Sequence, residues 1–192
     1  MQPFFTISTF FEQIHHLEEE VMQDYLSSWQ EIECARREVL VAEGETEKHL
    51  YFVQEGIQRS FFCKDEREHV IHLTSPPALI AVPESFLQQQ ASPYTLECIT
   101  ASKLLRISYH DHQRMMDKYR SIERLIRKSL EMVVSDMVRR HYELMALTIE
   151  ERFVSLMQRQ PDLINKVPHK YLASYLRIDP SNFSRLLNQH PI

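Results

Sequence analysis

The stretch SIERLIRKSLEMVVSDMVRRHYELMAL, from Ser121 to Leu147, holds neither proline nor glycine and repeats apolar side chains at Ile122, Ile126, Leu130, Val133, Met137 and Leu144. Such spacing puts these residues on one stripe of an α-helix, and Ser121 is placed to cap its start. At about 1.5 Å per residue the rod is roughly 40 Å long, more than a small domain needs to cover its own core. A near-heptad stripe on so long a rod predicts pairing with a second copy of itself. The homodimer interface is accordingly assigned to Ile122, Ile126, Leu130, Val133 and Met137. The alternative is a helix lying on its own monomer.

On the N-terminal side of the rod the period changes to that of strands. Between about Ile32 and Ile107 the runs EVLV, HLYFVQEG, QRSFFCKD, EHVIHLT, YTLECITA and KLLRIS alternate with polar turns, the pattern of an all-β array. The two glycines of the chain, Gly44 and Gly56, fall at junctions between these runs and are read as tight hairpins. Ahead of the array, Ile14, Leu17, Val21, Tyr25 and Leu26 repeat at helical spacing within Phe10–Trp29, predicting a short helix packed on the strands. Charge divides at the rod. From Lys118 onward there are 13 Lys and Arg against 8 Asp and Glu, and the first 117 residues hold the other 9 basic and 19 acidic side chains. An acidic front and a basic back suggest two jobs, the back meeting a polyanion.

The basic back contains VPHKYLASYLRIDPSNFSRLLNQ, from Val167 to Gln189, which reads as two short helices about a tight turn. Leu172, Leu176, Ile178, Phe183 and Leu186 supply an inner face, with Ala173 where the helices touch. Asp179 is placed to cap the second helix, Pro180 suits its first position, and Ile178 with Phe183 makes a hydrophobic staple. Ser181, Ser184, Arg185 and Asn188 fall on the opposite stripe, with Asn182 beside them, and Arg185 can make two hydrogen bonds to a guanine edge. His169, Lys170 and Arg177 are available for phosphates. Arg177 occupies the turn where glycine is usual. A left-handed backbone there costs about 1–2 kcal/mol.

The order of these parts resembles the Crp/Fnr family of bacterial transcription regulators. The residues that carry the resemblance are EGETEKHLYFVQEGIQRSFF, LLRISYHDH and YLASYLRIDPSNFSRLL, like the family's β-roll hairpin, its last strand leading to a helix, and its DNA reader. It implies an α+β chain with an N-terminal antiparallel β-roll of cyclic-nucleotide-binding type over 1–117, a long dimerisation helix over 118–147, and a helix-turn-helix domain of winged-helix type over 148–192. Only Gln189 to Ile192 follow Asn188, so the C-terminal wing is expected to be reduced or missing. The implied function is a homodimeric, sequence-specific regulator. Its partners are double-stranded DNA carrying an inverted-repeat operator and, by the same resemblance, RNA polymerase. In cyclic-nucleotide binders of the family a Gly-Glu opens a short helix and an Arg-Ser or Arg-Ala pair meets the phosphate. Here VPESFLQQQASPYTLECIT keeps the glutamate as Glu84 but has Pro83 for the glycine and Ser92-Pro93 for the arginine pair. A buried phosphate needs that charge, so cAMP is not expected as an effector. No cofactor is predicted, and another small molecule, or none, is expected in an apolar pocket lined by Phe62, Leu79 and Phe86, with Glu84 and Ser92 also assigned to the pocket. The recognition helix has Pro180 and Ser181 where well-known members place Arg-Glu, while Arg185 keeps their later arginine.

Other classes are weaker matches. HDH at His110–His112 and EHVIH at Glu68–His72 suggest the histidine pairs of metal-binding cupin enzymes, but lack the glycines that surround such ligands, and no metal site is assigned. A dimeric protein-interaction module that kept the fold and lost DNA binding is the remaining alternative. Cys34, Cys63 and Cys98 lie far apart, suggesting neither a disulfide framework nor a metal cluster. The N-terminus lacks the layout of a secretion signal, and no apolar run reaches the roughly 20 residues that span a bilayer. A cytoplasmic protein with no membrane partner is expected.

Overall fold

A computed structural model describes residues 3–190. Two helices, α1 (Pro3–Ile14) and α2 (Glu19–Ser27), precede the first strand. The single helix expected here is broken at 15–18, because the Glu12 carboxylate bends the chain back: it pairs with the His16 ring at 2.8 Å and accepts from the Leu17 amide at 3.2 Å. Leu17 is thereby turned into the core.

Eight strands follow: β1 (Gln30–Cys34), β2 (Val39–Val41), β3 (His49–Glu55), β4 (Gln58–Lys64), β5 (Arg67–Thr74), β6 (Ala78–Ile80), β7 (Thr95–Cys98) and β8 (Ser102–Ser108), with α3 (Pro83–Gln88) between β6 and β7. They form two antiparallel four-stranded sheets, ordered β1-β8-β3-β6 and β2-β7-β4-β5. Val41, Tyr51, Val53, Ile80, Leu96 and Leu104, contributed by both sheets, fill the interior together with Cys34, Cys98 and Val82, which precedes α3. The glycines do not make hairpins. Gly44 and Gly56 adopt φ of 89° and 95° where the chain crosses from one sheet to the other, and a side chain at Gly56 would collide with Ser102. The tight hairpin joins β4 to β5 through Asp65 and Glu66, both at positive φ, with Lys64 paired to Arg67.

Helix α4 (Tyr109–Lys118) starts at Ser108, whose hydroxyl accepts from the Asp111 amide at 3.0 Å. The rod is α5 (Arg120–Ala146), and Tyr119, not Ser121, stands at its cap position without a side-chain bond. Its first two turns are already committed: Ile122, Leu125 and Ile126 pack with Ile7, Phe11, Tyr25, Phe52 and Leu105 in a core between the N-terminal helices and the β1-β8-β3-β6 sheet. Beyond them come α6 (Ile149–Arg159), opened by a Thr148–Glu151 capping box, then α7 (Leu163–Lys166), α8 (His169–Leu176) and α9 (Pro180–Gln189). Among the described residues no strand follows α9, and no helix is long and apolar enough to cross a membrane.

Candidate nucleic-acid interface

Helices α8 and α9 close on one core. Leu172, Ala173, Leu176, Ile178, Phe183 and Leu186 are all buried, against Phe153 and Leu156 of α6, each large side chain contributing about 1.5–3 kcal/mol. The turn between them is a left-handed one at Arg177, with φ 56° and ψ 48°. The Ile178 amide reaches back to the Ala173 carbonyl at 3.0 Å and the Arg177 amide to Ser174 at 3.1 Å, the bond pair of a glycine-type helix stop. Arginine is tolerated because its side chain is exposed. Asp179 does occupy the position before α9, but its carboxylate makes no bond to the helix; its carbonyl alone accepts, from Phe183 at 2.9 Å. Pro180 has no amide to cap, which removes part of the need.

The outer stripe is as the spacing predicts: Ser181, Ser184, Arg185 and Asn188 are exposed and Asn182 is half-buried. Ser184 turns its hydroxyl to the Pro180 carbonyl at 3.0 Å. Arg185 donates to Asn182 at 3.3 Å, which lays the guanidinium along the helix face. On the flank, His169 lies against Phe183, with ring centroids 5.4 Å apart, and Lys170 sits 4.8 Å over the Tyr171 ring. An apolar body carrying exposed cations and amides can meet phosphates and base edges.

The expected effector residues do not gather into one pocket. Phe86 is buried in the core of the N-terminal helices, and Leu79 packs against the same cluster. Phe62 instead stacks on His69 at 5.0 Å and faces Tyr94 at 6.4 Å. Ser92 is buried, its hydroxyl donated to the Tyr94 carbonyl at 2.6 Å, and Glu84 acts on Tyr94 by its charge. What sequence reasoning missed is Glu47. Only 1% exposed, it accepts from the Val82 amide at 2.5 Å, and its backbone binds Ser85 and Gln89, so it anchors α3. Burial pushes its carboxyl up to about 8, and its second oxygen has no partner. A groove of about 600 Å³ lies elsewhere, between Gly56, Pro76 and Thr100 of the strands and Arg159, Pro161 and Lys166 of the helices.

The histidines of the two metal-like motifs are not brought together as ligands. His112 is buried against Tyr25 and Phe86, with Tyr25 Oη 3.1 Å from Nδ1, while His110 is exposed and Glu68 is taken by Arg59. Among the described residues no group of three His, Cys, Asp or Glu side chains is placed to hold a metal ion.

Two antiparallel sheets rolled around one interior, then a long helix and a compact helical unit, define a β-roll followed by helices. Residues 31–119 match the cyclic nucleotide-binding domain family model. The fold is similar to that of FixK2 from Bradyrhizobium japonicum, at 17% identity over 84% of this chain and 83% of that one, with a TM-score of 0.69. It is equally similar to CLP, the c-di-GMP-responsive global regulator of Xanthomonas campestris, at 17% identity, 90% and 91% coverage and 0.68. It is also similar to that of the catabolite activator protein of Thermus thermophilus, at 18% identity, 92% and 84% coverage and a TM-score of 0.58. These likenesses are of fold: a cyclic-nucleotide-binding-type roll followed by helices in the arrangement of Crp/Fnr-type regulators. No curated protein matches the chain in sequence.

Proposed function

We propose that the chain is a homodimeric, sequence-specific DNA-binding transcriptional regulator whose sensor half does not answer cAMP. The observation that carries this reading is the two-sided α9, with Phe183 and Leu186 buried and Ser181, Ser184, Arg185 and Asn188 outside. In it, Ser181, Asn182, Ser184, Arg185 and Asn188 face base edges, and His169, Lys170 and Arg177 face phosphates. The division of labour is sensor 1–117, dimer helix 118–147 and reader 148–192. Pairing falls to the free part of α5, where Leu130, Val133 and Met137 are 37%, 41% and 62% exposed. Ile122 and Ile126 are excluded from it, being used by the sensor core.

Selection from random duplexes tests the reading. Two reading helices related by a dimer axis enter successive major grooves, so the selected site should be an inverted repeat with half-sites about 34 Å apart. Enrichment of no palindrome overturns it.

A further inference from the structure

The most deeply buried cation of the described residues lies where the sensor meets the reader. Arg59, on β4, is 2% exposed. Its Nε donates to Glu97 at 2.8 Å, and its two terminal nitrogens donate to the two oxygens of Glu68 at 2.8 and 3.0 Å. Its guanidinium carbon lies 3.8 Å from the ring centroids of both Phe61 and Tyr171. Glu97, Glu68 and Phe61 belong to the sensor sheet; Tyr171 belongs to α8. Beside it, Ser174 of α8 accepts from the Val70 amide at 2.9 Å and lies 3.2 Å from the Glu68 carbonyl. One turn along α8, Arg140 of α5 donates to the Tyr175 carbonyl at 2.6 Å and lies 3.6 Å over that ring.

A buried arginine is tolerated when its donors are paired, and here the sensor's own glutamates pair it. The reader adds one thing, an aromatic face that removes water from the guanidinium and so strengthens the stacking. Undocking α8 would return Arg59 and Phe61 to solvent and break the Val70 bond, which makes the docked position well defined. We propose that Arg59 is a positioning residue for DNA reading: through Tyr171 it holds α8, and with it α9, at one place against the sensor, and so fixes the spacing between the two half-sites of a dimer's operator. The proposal rests on the DNA-reading function above. Glu97 connects the contact to the sensor, since it pairs with Arg59 across β4 and β7 and lies on the strand that leaves the Ser92 turn.

Three variants test it. Tyr171→Leu removes the aromatic face; Arg59→Lys keeps the charge but loses the flat fork that stacks twice and binds Glu68 with two bonds; Tyr171→Phe keeps the ring. Without DNA, hydrogen exchange at the Val70 amide should be about 10-fold faster in the first two, the scale of a desolvated cation–π contact. It should be unchanged in Tyr171→Phe, and exchange at Phe52 in the sensor core should be unchanged in all three. The double variant should exchange no faster than the faster single one, because both changes remove the same contact. In duplex selection, Tyr171→Leu and Arg59→Lys should keep the wild-type bases within each half-site yet accept half-sites closer together or farther apart. Wild-type exchange at Val70 in both, or unchanged spacing despite faster exchange, overturns the proposal. A wild type that selects no site overturns the DNA reading and the positioning role with it, while exchange still reports whether Arg59 holds α8.

Discussion

Arg185 is the outer-face residue with the most to offer a base pair, because a guanidinium can bridge two acceptors of guanine. Arg185→Ala should cost about 1–3 kcal/mol at the preferred site and relax one position in each half-site; unchanged affinity and sequence in a selection would remove α9 from the role of reader. Arg177 was legible at this scale, since only its place in the turn was needed to expect the left-handed backbone it adopts. Arg59 and Glu47 were not, because the first sits in a run of ordinary strand composition and the second in a polar turn before β3, and each acquires its meaning from a partner 38 or 35 residues away. Glu47 also sets a pH dependence. Its folded carboxyl, pushed up to about 8, keeps a proton that the unfolded chain gives up near 4.5, so stability falls as pH rises through that window. His112 runs the other way: burial holds its imidazole down at about 4 against the usual 6.5, so stability falls as pH drops between them. Glu47→Gln removes the first slope alone and should raise the melting temperature at pH 8 clearly more than at pH 5. Equal shifts at the two pH values would mean that Glu47 is not protonated in the folded chain.

Among the elements, α5 divides its apolar side chains between two environments. Its start is consumed by the core of the roll and the N-terminal helices, whereas Val133, Val134, Met137, Val138, Tyr142 and Met145 are 41–75% exposed, more apolar surface than a lone helix in water sustains. Val133→Glu would place a charge in the seam of a pair and should give monomers in sedimentation; a dimer that survives the change would place the interface elsewhere. The periodicity of α5 was plain in the sequence, but which turns face the sensor was not, since Ile126 and Val133 look alike until Phe52 and Leu105 are packed against the first. Six strand runs were legible for the same reason, apolar side chains at short regular steps. The strands β1 and β6 were less so: they are the edges of one sheet, β1 largely exposed and β6 only three residues long. The N-terminal break escaped because it depends on one carboxylate, Glu12, reaching around a turn.

For the whole molecule, the charge division and the content of the roll bear on the same question, what the sensor accepts. The acidic side chains concentrate before residue 118, so a diffusing anion meets a repulsive field on the roll and an attractive one on the C-terminal helices. That favours DNA at the back, where Lys170→Ala should weaken all duplexes alike and lower the slope of log K against log salt by about 0.9. At the front it disfavours a phosphate. Inside the roll the disagreement is sharper: the turn that would bring an arginine to a cyclic phosphate holds Ser92, closed on its own Tyr94 carbonyl, and the ionisable group behind α3 is the carboxyl of Glu47. The interior that remains is packed by Val53, Val82, Leu96 and Leu104. A cyclic phosphate entering at the Ser92 turn would give up its water with no cation on that turn to replace it, a loss of several kcal/mol. Titration calorimetry of the wild type with cAMP should therefore show no binding in the micromolar range, and a measured Kd at or below that range would mean that a cation elsewhere in the sensor reaches the site that Ser92 leaves uncharged.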